Sequence, residues 1–531
     1  MAELLSVSDF SLHIDRRPVV NRLSFSIRAG ERVAIVGESG SGKTVTALSL
    51  LGLQPGQITG GKALFRPAGN AAVDLFALPA KALHRLRGSQ IGYVFQEPGL
   101  CLNPVITCGK QVAEVFRFHT HVSEKEARAE TLRWFTKVGF TEPERMYDSY
   151  PHRLSGGQKQ RVMLAMAMAP KPALLLADEP TTALDVTIQK QIVDLLRNLC
   201  AENDTALLFI THDLGLATAM ASRTLVMRHG EWVEEGPSDA LFVHPKHPYA
   251  QQLTAARITL QTAPAVKTAI QTEEAPIVTV QNLSVAYRDA GLFLKKEPVW
   301  AVQNVSFQIR KGETLGLVGE SGSGKSTIGQ TLMGLKAPES GEVRLFGQNP
   351  YDMEAEALRR FRKRFRIIFQ DPYASFNPKL NVGSQIEETL AVYNLFGNKK
   401  ARQEKTAEWL TRVGLLPEHA KRLPHSFSGG QRQRIAVARA LACEPDFLVC
   451  DECVSSLDVS LQRDILELLL HLQTQLGMGM LFISHDPATV RFMCENVLVL
   501  KNGKTMEYGP TGEVWQNPQS AYTRQLLEAV L

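Results

Sequence analysis

Two kinds of apolar pattern alternate along the chain. Short uninterrupted runs, such as "ALLLADE" (173–179) and "TALLFITHD" (205–213), sit between longer stretches of helical character. Apolar runs of this length, unbroken by polar residues and spaced by helices, predict parallel strands buried on both faces. Ahead of them lie a β-rich start and a glycine-rich loop that opens a helix. The series of β-rich start, loop, helices and apolar strands occurs twice, so the pattern predicts an α/β fold with a helical insert, present in two copies.

The motifs confirm the duplication. "GESGSGKT" (37–44) recurs as "GESGSGKS" (319–326). Gln96 of "YVFQEP" and Gln370 of "IIFQDP" stand 274 residues apart. The serines of "LSGGQ" (154–158) and "FSGGQ" (427–431), the glutamates Glu179 and Glu452, and the histidines His212 and His485 all stand 273 apart. Motifs kept in register over this distance mark a repeated unit of about 250 residues. The expected organisation is a first domain over 1–253, a linker over 254–276 and a second domain over 277–531. The linker segment, "TAARITLQTAPAVKTAIQTEEAP", is rich in Thr, Ala and Gln and shows no helical or alternating period. Fully extended it spans up to ~75 Å at about 3.3 Å per residue, enough to join two domains lying head to tail.

Composition narrows the picture. A chain of 531 residues is too long for one ordinary core, and 44% hydrophobic with 21% charged residues is a globular balance. The net charge of +5 is weak for this length and does not demand a nucleic-acid partner. Only "RRFRKRFR" (359–366) is strongly basic; it reads as a charged helix end before the strand "IIFQ", with its phenylalanines packed. Seven scattered cysteines suit a reducing compartment. Cys450-x-x-Cys453 has metal-like spacing, but Cys450 closes the run "FLV" and reads as a buried strand thiol. The start "MAELLSVSDF" does not have the features of a signal peptide, and no apolar run approaches the roughly 20 residues of a membrane helix, so a soluble or peripheral protein is expected.

Both glycine-rich loops fit G-x-x-x-x-G-K-[ST], follow apolar strands ("RVAIVG", "TLGLVG") and open helices, the context that makes this pattern specific. Gly37, Ser39, Gly40 and Gly42, with Gly319, Ser321, Gly322 and Gly324, would let backbone N–H groups wrap phosphate oxygens at a helix N-terminus. Lys43 and Lys325 would reach the β- and γ-phosphates, and Thr44 and Ser326 would offer hydroxyls to Mg²⁺. Asp178 and Asp451 end apolar strands where a carboxylate can hold Mg²⁺ or its waters. Glu179 and Glu452 follow, placed to activate the attacking water. The two stretches read "DEPTTALD" (178–185) and "DECVSSLD" (451–458); Cys453 replaces Pro180 and is expected to loosen the turn without removing any reacting group.

In this order the loop, the glutamine turn, SGGQ, DE-x4-LD and the "[TS]HD" histidine resemble the nucleotide-binding domain of ABC-type ATPases, over about 1–250 and 277–531. The resemblance implies two tandem P-loop NTPase (ABC-type) domains, each a RecA-like core with a helical subdomain and an antiparallel β start, binding ATP and Mg²⁺. It implies that Gln96 and Gln370 sense Mg²⁺, and that His212 and His485 hold the γ-phosphate and the water of the catalytic glutamate. Ser155, Gly156, Gly157 and Gln158 would complete the second site, and Ser428, Gly429, Gly430 and Gln431 the first, so the two domains would pair within one chain. Adenine would stack on Tyr287, whereas the first copy places Ile14 there, beside His13; losing the stack costs ~0.5–1.5 kcal/mol.

Three classes of ABC protein fit a two-copy chain: an importer subunit, a soluble protein acting on ribosomes or nucleic acid, and a DNA-repair ATPase. The linker carries only four charges, unlike the long charged linkers of the ribosome class, and the zinc-binding Cys pairs of the repair class are missing from the sequence. "FQEPGLCLNPVITCGKQV" (95–112), "FQDPYASFNPKLNVGSQI" (369–386), "YPHRLSGGQ" (150–158), "HPKHPYAQQL" (244–253) and "NPQSAYTRQLL" (517–527) resemble the dipeptide/oligopeptide/nickel importer ATPases. The resemblance implies two integral-membrane permease subunits and a periplasmic binding protein as partners, no nucleic acid, and a place on the cytoplasmic face of a bacterial inner membrane. The expected cargo is peptide-like or nickel/metallophore-like; the alternative is a soluble tandem-ABC protein acting on ribosomes or nucleic acid.

Overall fold

In the first half the strands are β1 (Glu3–Ile14), β2 (Arg17–Arg28), β3 (Arg32–Val36), β4 (Gln57–Phe65), β5 (Val73–Asp74), β6 (Ile91–Val94), β7 (Leu174–Asp178), β8 (Ala206–Thr211), β9 (Arg223–Arg228) and β10 (Glu231–Pro237). The computed structural model describes residues 3–67, 71–182, 184–260, 275–288, 298–371, 375–455 and 457–530. An antiparallel sheet has the order β2-β1-β4-β5, and a second sheet the order β10-β9-β3-β8-β7-β6. Within the second sheet β3, β6, β7, β8 and β9 run parallel and only the edge strand β10 is antiparallel. The apolar runs that predict buried parallel strands are β7 and β8, and every residue of both is buried.

The helices of this half include α1 (Lys43–Leu50), α2 (Cys108–Thr120), α3 (Glu124–Lys137), α4 (Gly156–Met168), α5 (Val186–Glu202) and α6 (Pro248–Ala256). One face of the parallel sheet packs on the antiparallel sheet through Leu5, Phe10, Leu12, Ile35, Leu174 and Leu208. The other face meets the helical layer, where Trp134 and Phe135 of α3 and Val162, Leu164 and Met168 of α4 join Leu175, Leu207 and Phe209. Alternate residues of one strand thus serve two cores, which is why β7 and β8 are apolar up to their C-terminal residues, Asp178 and Thr211.

The second half repeats the plan with β11 (Val278–Tyr287), β12 (Val299–Ile309), β13 (Thr314–Val318), β14 (Ser340–Leu345), β15 (Phe365–Ile368), β16 (Phe447–Asp451), β17 (Gly479–Ser484), β18 (Asn496–Lys501) and β19 (Lys504–Pro510). Its helices include α7 (Lys325–Leu332), α8 (Val382–Val392), α9 (Lys399–Arg412), α10 (Gly429–Leu441), α11 (Val459–Leu476) and α12 (Ala521–Glu528). The antiparallel sheet is β12-β11-β14, and the main sheet β15-β16-β17-β13-β18-β19. The hairpins differ: Ile14 pairs with Arg17, whereas Tyr287 pairs with Val299, so the second connection is longer. The glycine-rich loops therefore stand 282 residues apart, and later deletions restore the 273-residue register.

The segment expected as linker begins inside structure. Residues 254–256 are the last turn of α6, and Ile258 and Leu260 pack against the core of the second half. Residues 261–274 lie outside the described residues. The basic run exposes Arg359, Arg360, Lys363 and Arg364 and turns its two phenylalanines inward. Phe361 and Phe365 are buried in the core, Arg364 pairs with Asp446 at 2.7 Å, Arg360 pairs with Glu356, and Arg366 donates to the Tyr393 hydroxyl at 3.0 Å. Cys450 ends inside β16 as a buried free thiol. Among the described residues no helix is long and apolar enough to cross a membrane.

Candidate active site

Each glycine-rich loop links the C-terminal end of a central strand, β3 or β13, to the N-terminus of α1 or α7. Gly42 and Gly324 cap these helices at φ of 106° and 103°, a left-handed conformation that glycine adopts without Cβ strain. The loop wraps its lysine. Lys43 Nζ donates to the carbonyls of Gly37 and Glu38, both at 2.8 Å, and Lys325 Nζ to those of Gly319 at 2.7 Å and Glu320 at 2.9 Å. Burial pulls both ammonium groups below the usual lysine range. These are buried cations satisfied by backbone dipoles, set at the N-terminal ends of α1 and α7, where an anion is favoured.

The strand-end carboxylates converge on the same loops. The Thr44 hydroxyl donates to Asp178 at 3.1 Å and the Ser326 hydroxyl to Asp451 at 3.0 Å. Burial raises both carboxyl pKa values; hydrogen bonds from Thr44 and Tyr93 oppose this at Asp178, and one from Ser326 at Asp451. The Tyr93 hydroxyl, 3.0 Å from Asp178, has Ile367 as its counterpart and so no equivalent in the second site. A hydroxyl and a carboxylate side by side are the oxygen donors a hard divalent cation takes, so the residues present fit Mg²⁺.

The glutamates complete each cluster. Glu179 accepts from Gln96 at 3.1 Å and Thr182 at 2.9 Å, and His212 Nδ1 lies 3.2 Å away. Glu452 accepts from Gln370 at 3.0 Å, with His485 Nδ1 at 3.5 Å and Lys325 Nζ at 3.7 Å. Burial works against the charge on both glutamates, yet the histidines and lysines hold the carboxyls below their usual range. Glu179 and Glu452 have φ of 44° and 46°, a left-handed backbone that costs a non-glycine residue roughly 1–2 kcal/mol. Their N–H groups donate to Ile210 and Ile483 at 2.9 and 3.0 Å. The glutamate ahead of Pro180 and the one ahead of Cys453 thus share one backbone conformation and equivalent N–H partners. Cys453 is buried in the core.

The Ser-Gly-Gly-Gln turns sit at helix starts as expected. Ser155 and Gln158, and likewise Ser428 and Gln431, form reciprocal capping boxes. Their link to the opposite loop runs through the Asp that ends each DE-x4-LD motif. Asp185 accepts from Ser321 N of the second loop at 3.3 Å, and Asp458 from Ser39 N of the first at 3.4 Å. A Cβ on Gly157 would meet Ile188 and one on Gly430 would meet Leu461, so each SGGQ turn packs on the helix whose first turn touches the other half. The signal was the Asp that closes both DE-x4-LD motifs. Further bonds join the halves: Ser460 to Glu38 at 2.8 Å, Arg463 to the carbonyl of Ala255 at 2.5 Å, and Lys190 to that of Glu528 at 2.6 Å. A cavity of about 170 Å³ lies between them, lined by His212, Asp213, His485, Asp486 and Arg257.

Tyr287 lies beside the second loop, its hydroxyl 3.3 Å from Thr327 and its ring under Lys336. Ile14 is a partly buried residue packed against the core of the first half.

A family described as "ABC transporter" matches residues 20–182 and 302–455, and "Oligopeptide/dipeptide transporter, C-terminal region" matches 233–281 and 506–531. The chain is 45% identical to the glutathione import ATP-binding protein GsiA of Pectobacterium atrosepticum, over 97% of this chain and 87% of that protein. It is 44% identical to GsiA of Escherichia coli (strain K12), over 96% of this chain and 86% of that protein. The solved structure of cbiO1 from Clostridium perfringens covers 46% of this chain and 92% of its own, at 28% identity and a TM-score of 0.41.

Proposed function

Because the chain belongs to the ABC transporter family of ATP-binding proteins, we propose that its two ATP sites drive uptake of a peptide-like solute through two separate permease subunits. The chain is the ATP-hydrolysing subunit of an importer. The reading places it on the cytoplasmic face of a bacterial inner membrane, with a periplasmic binding protein selecting the cargo. Glutathione or a short oligopeptide is the substrate class, because the names of the relatives and of the C-terminal family point there.

In each site the loop N–H groups and the lysine bind the phosphates, and Thr44 with Asp178, or Ser326 with Asp451, would hold Mg²⁺, which when bound neutralises phosphate charge. Glu179 and Glu452 orient and deprotonate the attacking water, and His212 and His485 fix the carboxylates by hydrogen bonds. Gln96 and Gln370, bonded to these glutamates, would report occupancy to the permease side. The two halves close into composite sites, with Ser428–Gln431 completing the first and Ser155–Gln158 the second.

The observation that carries the reading is the pair of aspartates crossing to the opposite loops beside two complete lysine–aspartate–glutamate clusters. The test is purification with the permeases, then uptake into proteoliposomes loaded with Mg-ATP. Glutathione or a di- or tripeptide should accumulate only with ATP inside. Uptake confined to a non-peptide metal chelate would overturn the substrate class.

A further inference from the structure

The segments "HPYA" and "SAYT", at the starts of α6 and α12, place a tyrosine at the same point of each half. His247 Nδ1 accepts from Tyr249 N at 3.1 Å, and the Ser520 hydroxyl from Tyr522 N at 3.2 Å, so a cap fixes each tyrosine in the first helical turn. The turn is held to the edge strand: Glu234 accepts from the N–H groups of Lys246 and His247, and Glu507 from those of Gln519 and Ser520. Both rings are buried beneath a cation, Arg228 at 4.7 Å and Lys501 at 4.4 Å.

Each buried hydroxyl meets a glycine-rich loop. Glu38 N donates to the Tyr249 hydroxyl at 3.1 Å, and Glu320 N to that of Tyr522 at 3.1 Å. The donor belongs to the peptide unit whose carbonyl, that of Gly37 or Gly319, accepts from the loop lysine. A peptide is planar, so fixing its N–H fixes the direction of its C=O. The far end of α6 is bonded in turn to Arg463 of the opposite half.

We infer that Tyr249 and Tyr522 are positioning residues for ATP binding: each orients the Gly–Glu peptide that aims the loop lysine, and so ties the phosphate grip to the C-terminal helix. The geometry occurs independently in both halves. It rests on the reading of 37–44 and 319–326 as phosphate loops. Without the hydroxyl the Glu N–H loses its partner in a partly buried setting and the peptide is free to tilt.

The test compares the full chain carrying Tyr249→Phe plus Tyr522→Phe with the parent and with Lys43→Ala plus Lys325→Ala. The phenylalanines keep the packing and remove only the acceptor. In the permease-bound complex, the KM for ATP of phosphate release should rise roughly fivefold to tenfold with kcat moved much less, as when grip on ground and transition states falls together. The melting midpoint without nucleotide should stay within about 2 °C of the parent. If the lysine variant binds a fluorescent ATP analogue as tightly as the parent, the loop reading itself fails. If the lysine variant loses binding while the phenylalanine variant keeps the parental KM, the tyrosine assignment is overturned. A KM rise matched by a nucleotide-free midpoint lowered by more than about 5 °C overturns it too, as general loosening. Should the double variant not fold, each single variant is read the same way at its own site.

Discussion

Glu452 and Cys453 show how far one side chain can differ while its neighbours keep the chemistry. The glutamate backbones match to within a few degrees, and the following turns close alike, Thr182 N to Glu179 O at 3.1 Å and Ser455 N to Glu452 O at 3.3 Å. Proline removes an N–H, but the turn is set by these bonds and by the strand behind it. Cys453→Pro is therefore expected to leave ATP turnover within a few-fold of the parent. Glu452→Gln should slow the second site by about 10²–10⁴-fold, because an amide cannot accept the proton of the attacking water. Steady-state phosphate release from the permease-bound complex reads both. Turnover unchanged by Glu452→Gln but abolished by Glu179→Gln would make the second site degenerate.

Among the elements, α5 and α11 join two duties in one first turn. Asp185 and Asp458 cap their own helices by accepting from Ile188 N at 2.9 Å and Leu461 N at 3.2 Å, and the same carboxylates reach the opposite loops. Serine is also a good N-cap, so Asp185→Ser plus Asp458→Ser should preserve the helices and lose only the reach across. The expected result is a melting midpoint within a few degrees of the parent. ATP turnover should fall about fivefold through lost coupling between the halves. Turnover at the parental level would show that the aspartates serve their helices alone. Whereas the cap was legible from the motif, the second duty was not, because its partner lies more than 130 residues away in the chain.

For the whole molecule, the halves meet through carboxylates, helix ends, a few apolar side chains such as Val186 and Ile258, and a cavity of mixed polar and apolar lining. Composite sites require that ATP draw the halves together. The chain with Glu179→Gln plus Glu452→Gln, which should bind ATP without turning it over, is expected to show a smaller radius of gyration in Mg-ATP than in buffer by small-angle scattering. Identical scattering in both conditions would sink the composite-site reading.

The duplicated motifs, the buried strands and the loop lysines were determined by sequence alone, because each depends on local order: strand before loop, glycine within it, helix after it. The packed state of Phe361 and Phe365 was legible for the same reason, apolar residues at a helix end leading into a strand. Tertiary structure decided what depends on distant partners. It alone put Asp458 on Ser39, Tyr249 on the peptide of Glu38, and Ile258 and Leu260 of the expected linker on the second core. Local pattern records a residue's own conformational and burial preferences, whereas these contacts join groups that approach only when two complete domains have folded and turned their loops toward each other.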